Sequence, residues 1–166
     1  MEPLLPQIAA VLCARRQTLA TAESCTGGLL GAALTELPGS SAWYLGGVVA
    51  YANSLKIALL GIPPGRLDAH GAVSAETARA MAEGARLRAG ADFAISITGI
   101  AGPDGGTPEV PVGLIHMAVA SPSGTATFEH HFPGARAEIR AAAVEAALRH
   151  LLDILVPAAR LRINSA

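Results

Sequence analysis

The chain has 166 residues, a net charge of -1, and an apolar fraction of 51% against 15% charged residues, which favours one folded domain over residues 1–166 and excludes a disordered chain. No basic run interleaves with aromatic residues, so we do not expect a nucleic-acid partner bound through its phosphates. Two cysteines cannot form a disulfide framework, and no segment is typical of a signal peptide or a membrane span, so we expect a cytoplasmic protein without a membrane partner.

Helices and strands alternate along the chain. Hydrophobic periodicity predicts helices over residues 7–16, 26–37, 53–60, 75–89 and 135–155. Strands are predicted over residues 18–22, 43–51, 92–98, 112–120 and 125–132, with a hairpin joining the last two. Asn53 and Ser74 are predicted N-caps, and Pro63 and Pro64 are predicted to end the third helix. This order of elements predicts an α/β domain in which a mixed sheet lies between layers of helices.

Lysine occurs once in this chain, at Lys56, against eleven arginines. A buried lysine amine can lose its proton and act as a base, whereas arginine stays protonated. Lys56 falls in the first turn of a predicted helix, where the helix dipole disfavours a cation and helps to keep an amine neutral. Tyr51, at the end of the preceding strand, can point into the same crevice. The alternatives are a surface lysine and a half-buried strand aromatic.

A predicted strand leads into a predicted helix at residues 23–28, so side chains here lie at the sheet edge near free helix N–H groups. Ser24 is a candidate nucleophile, and the amides of Cys25 and Thr26 are candidate oxyanion donors. Two alternatives stay open. Ser24 or Thr26 can merely cap the helix, or Cys25 can be the nucleophile, because a helix N-terminus lowers the pKa of a thiol.

A loop rich in glycine spans residues 98–108 and includes Thr98, Gly99 and Gly102. It leaves the carboxyl end of a buried strand, where ligands of open α/β sheets usually bind, and its glycines allow a ligand to approach the backbone closely. The alternative is a flexible surface loop.

Arg136 and Arg140 lie four residues apart in the first turns of the last predicted helix, so their like charges face each other at the positive end of the helix dipole. A bound anion such as a phosphate would make this arrangement favourable. The alternative is that solvent, with Glu138 or Glu129, screens both charges.

Four strings of residues together resemble the C-terminal domain of CinA proteins, a family that includes the nicotinamide mononucleotide deamidases (PncC). They are residues 22–28 (AESCTGG), 49–56 (VAYANSLK), 70–74 (HGAVS) and 98–103 (TGIAGP), and the resemblance runs from about residue 7 to residue 155. It implies a three-layer α/β/α sandwich with a mixed, mainly parallel sheet. It also implies hydrolysis of the carboxamide of nicotinamide mononucleotide to nicotinate mononucleotide and ammonia, without a metal or an organic cofactor. We expect a small-molecule nucleotide substrate and, from the alanine-rich helix surfaces, a homo-oligomer.

The resemblance also implies roles for individual residues. Ser24 corresponds to the nucleophile, Lys56 to the lysine that activates it, and Tyr51 to the tyrosine beside them. Thr98 and Gly99 correspond to the loop that lines the pocket, and Arg136 to the arginine implied in phosphate binding. Together with the residues singled out from the local pattern, the predicted oxyanion-stabilising or substrate-binding residues are Cys25, Thr26, Gly27, Thr98, Gly99, Gly102, Arg136 and Arg140.

Two positions depart from the family pattern. Ala135 stands where the family has an acidic residue, and Val110 stands where it usually has a lysine before Pro-Val-Gly. These departures motivate a second hypothesis, a catalytically silent module that binds a nucleotide or a protein partner. The N-terminal domain of full-length CinA proteins lies outside the resemblance, so we expect none of its functions here.

Overall fold

A five-stranded mixed sheet lies between two layers of helices in the computed structural model, which describes residues 4–157. The helices are α1 (Leu4–Arg15), α2 (Leu29–Thr35), α3 (Asn53–Leu60), α4 (Pro64–His70), α5 (Ala75–Ala89) and α6 (Arg136–Leu155), with a 3-10 helix at Ser40–Ala42. The strands are β1 (Leu19–Glu23), β2 (Tyr44–Val49), β3 (Phe93–Gly99), β4 (Leu114–Ser121) and β5 (Gly124–His131).

The strands lie in the order β2-β1-β3-β4-β5. Strand β1 pairs in parallel with β2 and β3, whereas the β3–β4 and β4–β5 pairs are antiparallel. Four of the five strands in the described chain therefore point the same way, and β4 opposes them. The predicted α/β/α sandwich with a mixed, mainly parallel sheet is confirmed.

The two faces of the sheet carry side chains of different size, because successive residues of a strand point to opposite faces. Ile95 and the larger aliphatic residues pack against α1, α2 and α6, whereas Ala118 and other alanines face α5. Small side chains let α5 approach its neighbours closely. Where α5 passes the end of α3, a Cβ on Gly84 would lie 2.2 Å from the carbonyl oxygen of Leu60.

Two predictions about the ends of helices are wrong. Asn53 is not an N-cap, because Ala52 holds that extended position and Asn53 is already the first helical residue. Helix α2 begins at Leu29 rather than at residue 26, because Gly27 and Gly28 adopt positive φ angles of 60° and 98° that a helix cannot continue through. The predicted cap at Ser74 is confirmed by its side chain, which accepts a hydrogen bond from the amide of Thr77 at 3.1 Å.

Helix α4 was not predicted, because Pro64 was interpreted only as a helix stop. The structure places Pro64 at the start of α4, where the missing N–H of proline has no intrahelical partner to lose. The helices of residues 4–157 include none that is long and apolar enough to cross a membrane.

Candidate active site

The carboxyl ends of β1, β2 and β3 meet at one edge of the sheet, because these three strands are parallel neighbours. Ser24 follows β1, and its amide donates to the carbonyl oxygen of Ile97 at 2.9 Å, which extends the β1–β3 pairing by one residue. Tyr51 follows β2 closely, and Gly99 ends β3. The sheet thus brings three of the predicted segments to the edge where ligands of α/β folds usually bind.

Lys56 reaches the same edge from α3. Its Nζ lies 3.1 Å from Ser24 Oγ, 3.0 Å from the carbonyl oxygen of Ala50 and 3.1 Å from that of Tyr51. The side chain is only 1% exposed, so Lys56 is not a surface lysine. Burial lowers its pKa, while the neighbouring Cys25 acts in the opposite direction.

The hydrogen-bond partners of Lys56 suit a neutral amine. No carboxylate among residues 4–157 forms an ion pair with it. The two carbonyl oxygens can only accept, so they take two N–H groups, whereas Ser24 Oγ can donate as well. An ammonium satisfies all three contacts by donating three times, and a neutral amine satisfies them by donating twice and accepting the Ser24 proton, which is the arrangement of a serine with an adjacent base.

Glu23, which the sequence analysis did not single out, occupies the start of α2. Its carboxylate is 2% exposed and accepts amide hydrogen bonds at 2.8–3.1 Å from Gly28, Leu30 and Gly31. The free N–H groups of this helix are therefore bound to Glu23 and do not face Ser24, so that expectation was wrong. An acidic residue just before a helix was the signal available in the sequence.

The amides of Cys25 and Thr26 remain candidate oxyanion donors, because neither donates to a backbone carbonyl in the part of the chain that the structure describes. The alternative hypothesis of a Cys25 nucleophile required a lowered thiol pKa, but burial raises the pKa of Cys25 from 9.0 to about 11. The thiol therefore stays protonated at neutral pH, and only the thiolate is a strong nucleophile. Thr26 is fully buried, and its Oγ1 has no hydrogen-bond partner among the described residues.

A cavity of about 270 Å³ opens beside Ser24 and Lys56. The predicted site residues that line it are Ser24, Cys25, Tyr51, Lys56, Thr98, Gly99, Gly102 and Arg136. The structure does not place Thr26, Gly27 or Arg140 in its lining. The lining is completed by residues for which no role was predicted, namely Ala72, Val73, Ile100, Ala101, Asp104 and Gly105.

Gly99 and Gly102 of the 98–108 loop leave no room for a side chain, whereas Gly105 has nothing within 4 Å of its Cβ position, and all three line the cavity. A Cβ on Gly99 would lie 2.5 Å from the carbonyl oxygen of Leu114, and a Cβ on Gly102 would lie 2.6 Å from Cγ1 of Val112. Thr98 is tied down as well, because its hydroxyl donates to the carbonyl oxygen of Ala72 at 2.7 Å. This loop is therefore held against the rest of the domain.

The two arginines of α6 have different surroundings. Arg136 donates to the carbonyl oxygen of Gly102 at 2.8 Å and to the hydroxyl of Tyr51 at 3.3 Å, at the wall of the cavity. Arg140 donates to the carbonyl oxygen of Thr26 at 2.7 Å and so supports the turn that follows Ser24.

Neither arginine forms an ion pair within residues 4–157. Glu138 accepts from the amide of Ala135 at 2.7 Å, and Glu129 lies 3.2 Å from His131, so neither carboxylate pairs with the arginines, whereas Arg136 is exposed and solvent screens its charge as the alternative allowed. Ala135 has no side-chain acceptor, so α6 keeps only the Glu138 half of a capping box.

A metal site finds no support in the described residues, where no group of three or more potential ligands comes together. The fold does bring Nε2 of His130 within 2.7 Å of Nε2 of His150, a pair that their spacing in the sequence did not reveal. This pair lies between β5 and α6 and does not line the cavity beside Ser24.

Comparison with known proteins identifies relatives over nearly the whole chain. The CinA C-terminal domain matches residues 1–155. A CinA-like protein of Anaeromyxobacter sp. is 53% identical over 150 residues, which are 90% of this chain and 37% of that protein. A putative competence-damage inducible protein of Symbiobacterium thermophilum is 57% identical over 120 residues, which are 72% of this chain and 28% of that protein. The chain thus spans about a third of the length of such relatives.

Solved structures share the fold. The competence/damage inducible protein CihA from Agrobacterium tumefaciens has 44% sequence identity and a TM-score of 0.89, covering 91% of this chain and 93% of that one. A competence or damage-inducible protein from Enterobacter asburiae has 35% identity and the same TM-score of 0.89, covering 92% of this chain and 96% of that one.

Proposed function

This chain belongs to the CinA C-terminal domain family, and from that membership and the site we propose that it hydrolyses the carboxamide of nicotinamide mononucleotide. The products are nicotinate mononucleotide and ammonia. The observation that carries the proposal is the 3.1 Å contact between Ser24 Oγ and Nζ of a lysine that is 1% exposed, at the wall of a cavity. A serine with an adjacent neutral amine is equipped for acyl transfer.

The first half of the proposed reaction forms an acyl-enzyme. Neutral Lys56 takes the proton of Ser24 Oγ as this oxygen attacks the carboxamide carbon. The amides of Cys25 and Thr26 stabilise the oxyanion, and each donor of this kind contributes about 3 kcal/mol in well-characterised enzymes. The intermediate then breaks its C–N bond, and the departing nitrogen takes the proton from Lys56 and leaves as ammonia. For Tyr51 to relay this proton, its hydroxyl has to move from Arg136 toward Lys56.

The second half reverses these roles with water. Lys56 is again neutral and takes a proton from a water molecule that attacks the ester formed on Ser24. When the ester breaks, the proton returns from Lys56 to Ser24 Oγ, and the product leaves as the carboxylic acid, which releases its own proton to solvent and becomes nicotinate mononucleotide. Protons balance in both halves, so the cycle needs neither a metal nor an organic cofactor.

Arg136 is the proposed ligand of the 5′-phosphate. It lines the cavity, and within the described chain it makes hydrogen bonds only to uncharged oxygens, so its positive charge is uncompensated. Holding the phosphate there would position the carboxamide over Ser24. We assign Arg140 a supporting role instead, because its guanidinium is bonded to the carbonyl oxygen of Thr26 and does not line the cavity.

The test is the formation of nicotinate mononucleotide by the purified protein, followed by chromatography, with three variants. Ser24→Ala should abolish turnover. Ser54→Ala, an exposed serine on α3, is the matched control and should leave it unchanged. Cys25→Ala should also remain active. Loss of turnover in Cys25→Ala with activity kept in Ser24→Ala would instead establish a cysteine amidase.

A binding module without catalysis is the remaining outcome of the same experiment. Calorimetric binding of nicotinamide mononucleotide to the folded wild type, without product, would establish it. The structure weakens one of its motivations. Val110 does not line the cavity, and its amide donates to Thr107 Oγ1 at 3.0 Å within the loop.

A further inference from the structure

The cavity beside Ser24 contains a carboxylate that the proposed chemistry does not use. Asp104 lies on the loop between β3 and β4 and lines the cavity. Among residues 4–157, the side chain of Asp104 forms no hydrogen bond or ion pair. The carboxylate of Glu23, in contrast, accepts hydrogen bonds from three backbone amides. Asp104 is an exposed residue, so its carboxylate is solvated and can exchange that water for a cationic group of a ligand in the cavity.

The charges around the cavity have both signs. Its ionisable lining residues, apart from the protonated thiol of Cys25 and the phenol of Tyr51, are Lys56, Asp104 and Arg136. Lys56 is neutral in the proposed ground state, which leaves one cation and one anion. Asp104 and Arg136 do not pair with each other within 4.0 Å, so neither charge cancels the other locally.

An unpaired carboxylate is unfavourable in a site that binds only an anion. Asp104 would repel a phosphate held at Arg136 and would weaken the binding of a nucleotide whose base is neutral. For a ligand with separate positive and negative groups, the electrostatic contribution of Asp104 to binding is favourable, because the positive group can lie near Asp104 and the negative group near Arg136. The lining therefore matches a zwitterion.

We propose that Asp104 is a specificity-determining residue of this site, which favours carboxamides carried on a cationic ring over the same carboxamides on a neutral ring. This inference rests on the proposed function. Arg136 binds the phosphate, and Asp104 lies toward the positive ring. Selection by charge has a chemical advantage, since a positive ring withdraws electrons from the carboxamide and makes its carbon more reactive toward Ser24.

The test compares two ligands that differ in ring charge. Nicotinamide mononucleotide carries a cationic ring, and its 1,4-dihydro form has a neutral ring with the same phosphate, ribose and carboxamide. Dissociation constants are measured by calorimetry in the Ser24→Ala background, so that no turnover intervenes. We expect the cationic form to bind more tightly, and Asp104→Asn to reduce that preference about tenfold, as for a charge pair at roughly 6 Å in a medium of intermediate polarity.

Glu109→Gln is the matched control, because Glu109 is an exposed carboxylate of the same loop that does not line the cavity. The Glu109→Gln variant should prefer the cationic ligand over the neutral one as strongly as the Ser24→Ala parent does. An unchanged preference in Asp104→Asn, or binding of neither form to the parent, overturns the inference. Failure of the proposed function shows separately, as absence of product from the wild type, whatever the binding preference.

Discussion

Replacing Lys56 with methionine should remove the base while keeping the fold. Methionine is an unbranched side chain of similar length, so it can occupy the space of a residue that is 1% exposed. Arginine is a less suitable replacement, because it is bulkier and would place a permanent charge where no carboxylate of the described chain can pair with it.

The structure separates the expected effects on stability and on activity. Methionine leaves the carbonyl oxygens of Ala50 and Tyr51 without the donor that Lys56 supplies. Each lost hydrogen bond costs about 1 kcal/mol, so the free energy of unfolding should fall by about 2 kcal/mol or less, offset in part because no amine has to be buried. Loss of a general base lowers kcat by about 10² to 10⁴.

The assay follows nicotinate mononucleotide by chromatography and thermal unfolding by calorimetry. Because ammonia is not the readout, added amines do not interfere. A Lys56→Ala variant should regain part of its activity with ethylamine, which can occupy the vacated space and act as the base. A folded Lys56→Met variant that keeps more than about a tenth of wild-type kcat would refute the assignment of Lys56 as the base.

Three further predictions concern pH and packing. Burial lowers the pKa of Lys56 from 10.5, and Lys56 acts when neutral, so kcat/KM should rise with pH through that lowered pKa. The free energy of unfolding should also rise with pH between the lowered pKa and 10.5, because the native state binds fewer protons there than the unfolded state. Lys56→Met should flatten the pH profile of kcat/KM and that of the free energy of unfolding. Glu23→Gln should lower the free energy of unfolding by about 1.5–3 kcal/mol in urea titrations, whereas exposed Glu36→Gln should change it little. Gly84→Ala should cost about 1–3 kcal/mol by the same measurement, because its Cβ would meet backbone 2.2 Å away, whereas Gly65→Ala in α4, with nothing within 4 Å, should be neutral or stabilising.

Order and type of most elements were predictable because they depend on local periodicity and capping. The hydrophobic pattern of residues 92–98 places β3 to within one residue, and the side chain of Ser74 identifies the start of α5. The errors occurred where one residue type serves two purposes. Pro64 can stop a helix or begin one, and the structure shows the second.

For the candidate site too, some features were predictable from local sequence and others depended on the tertiary structure. The sequence by itself determined that Lys56 is an exceptional cation and that Ser24 follows a strand, since composition and local pattern are properties of the chain. Only the tertiary structure decided that these side chains, 32 residues apart in the sequence, lie 3.1 Å from each other and are both buried. It also separated Arg136 at the cavity from Arg140 behind the Ser24 turn, although both lie on one helix. Burial and contact depend on how the sheet and helices pack, and packing is a sum over distant residues that no local window contains.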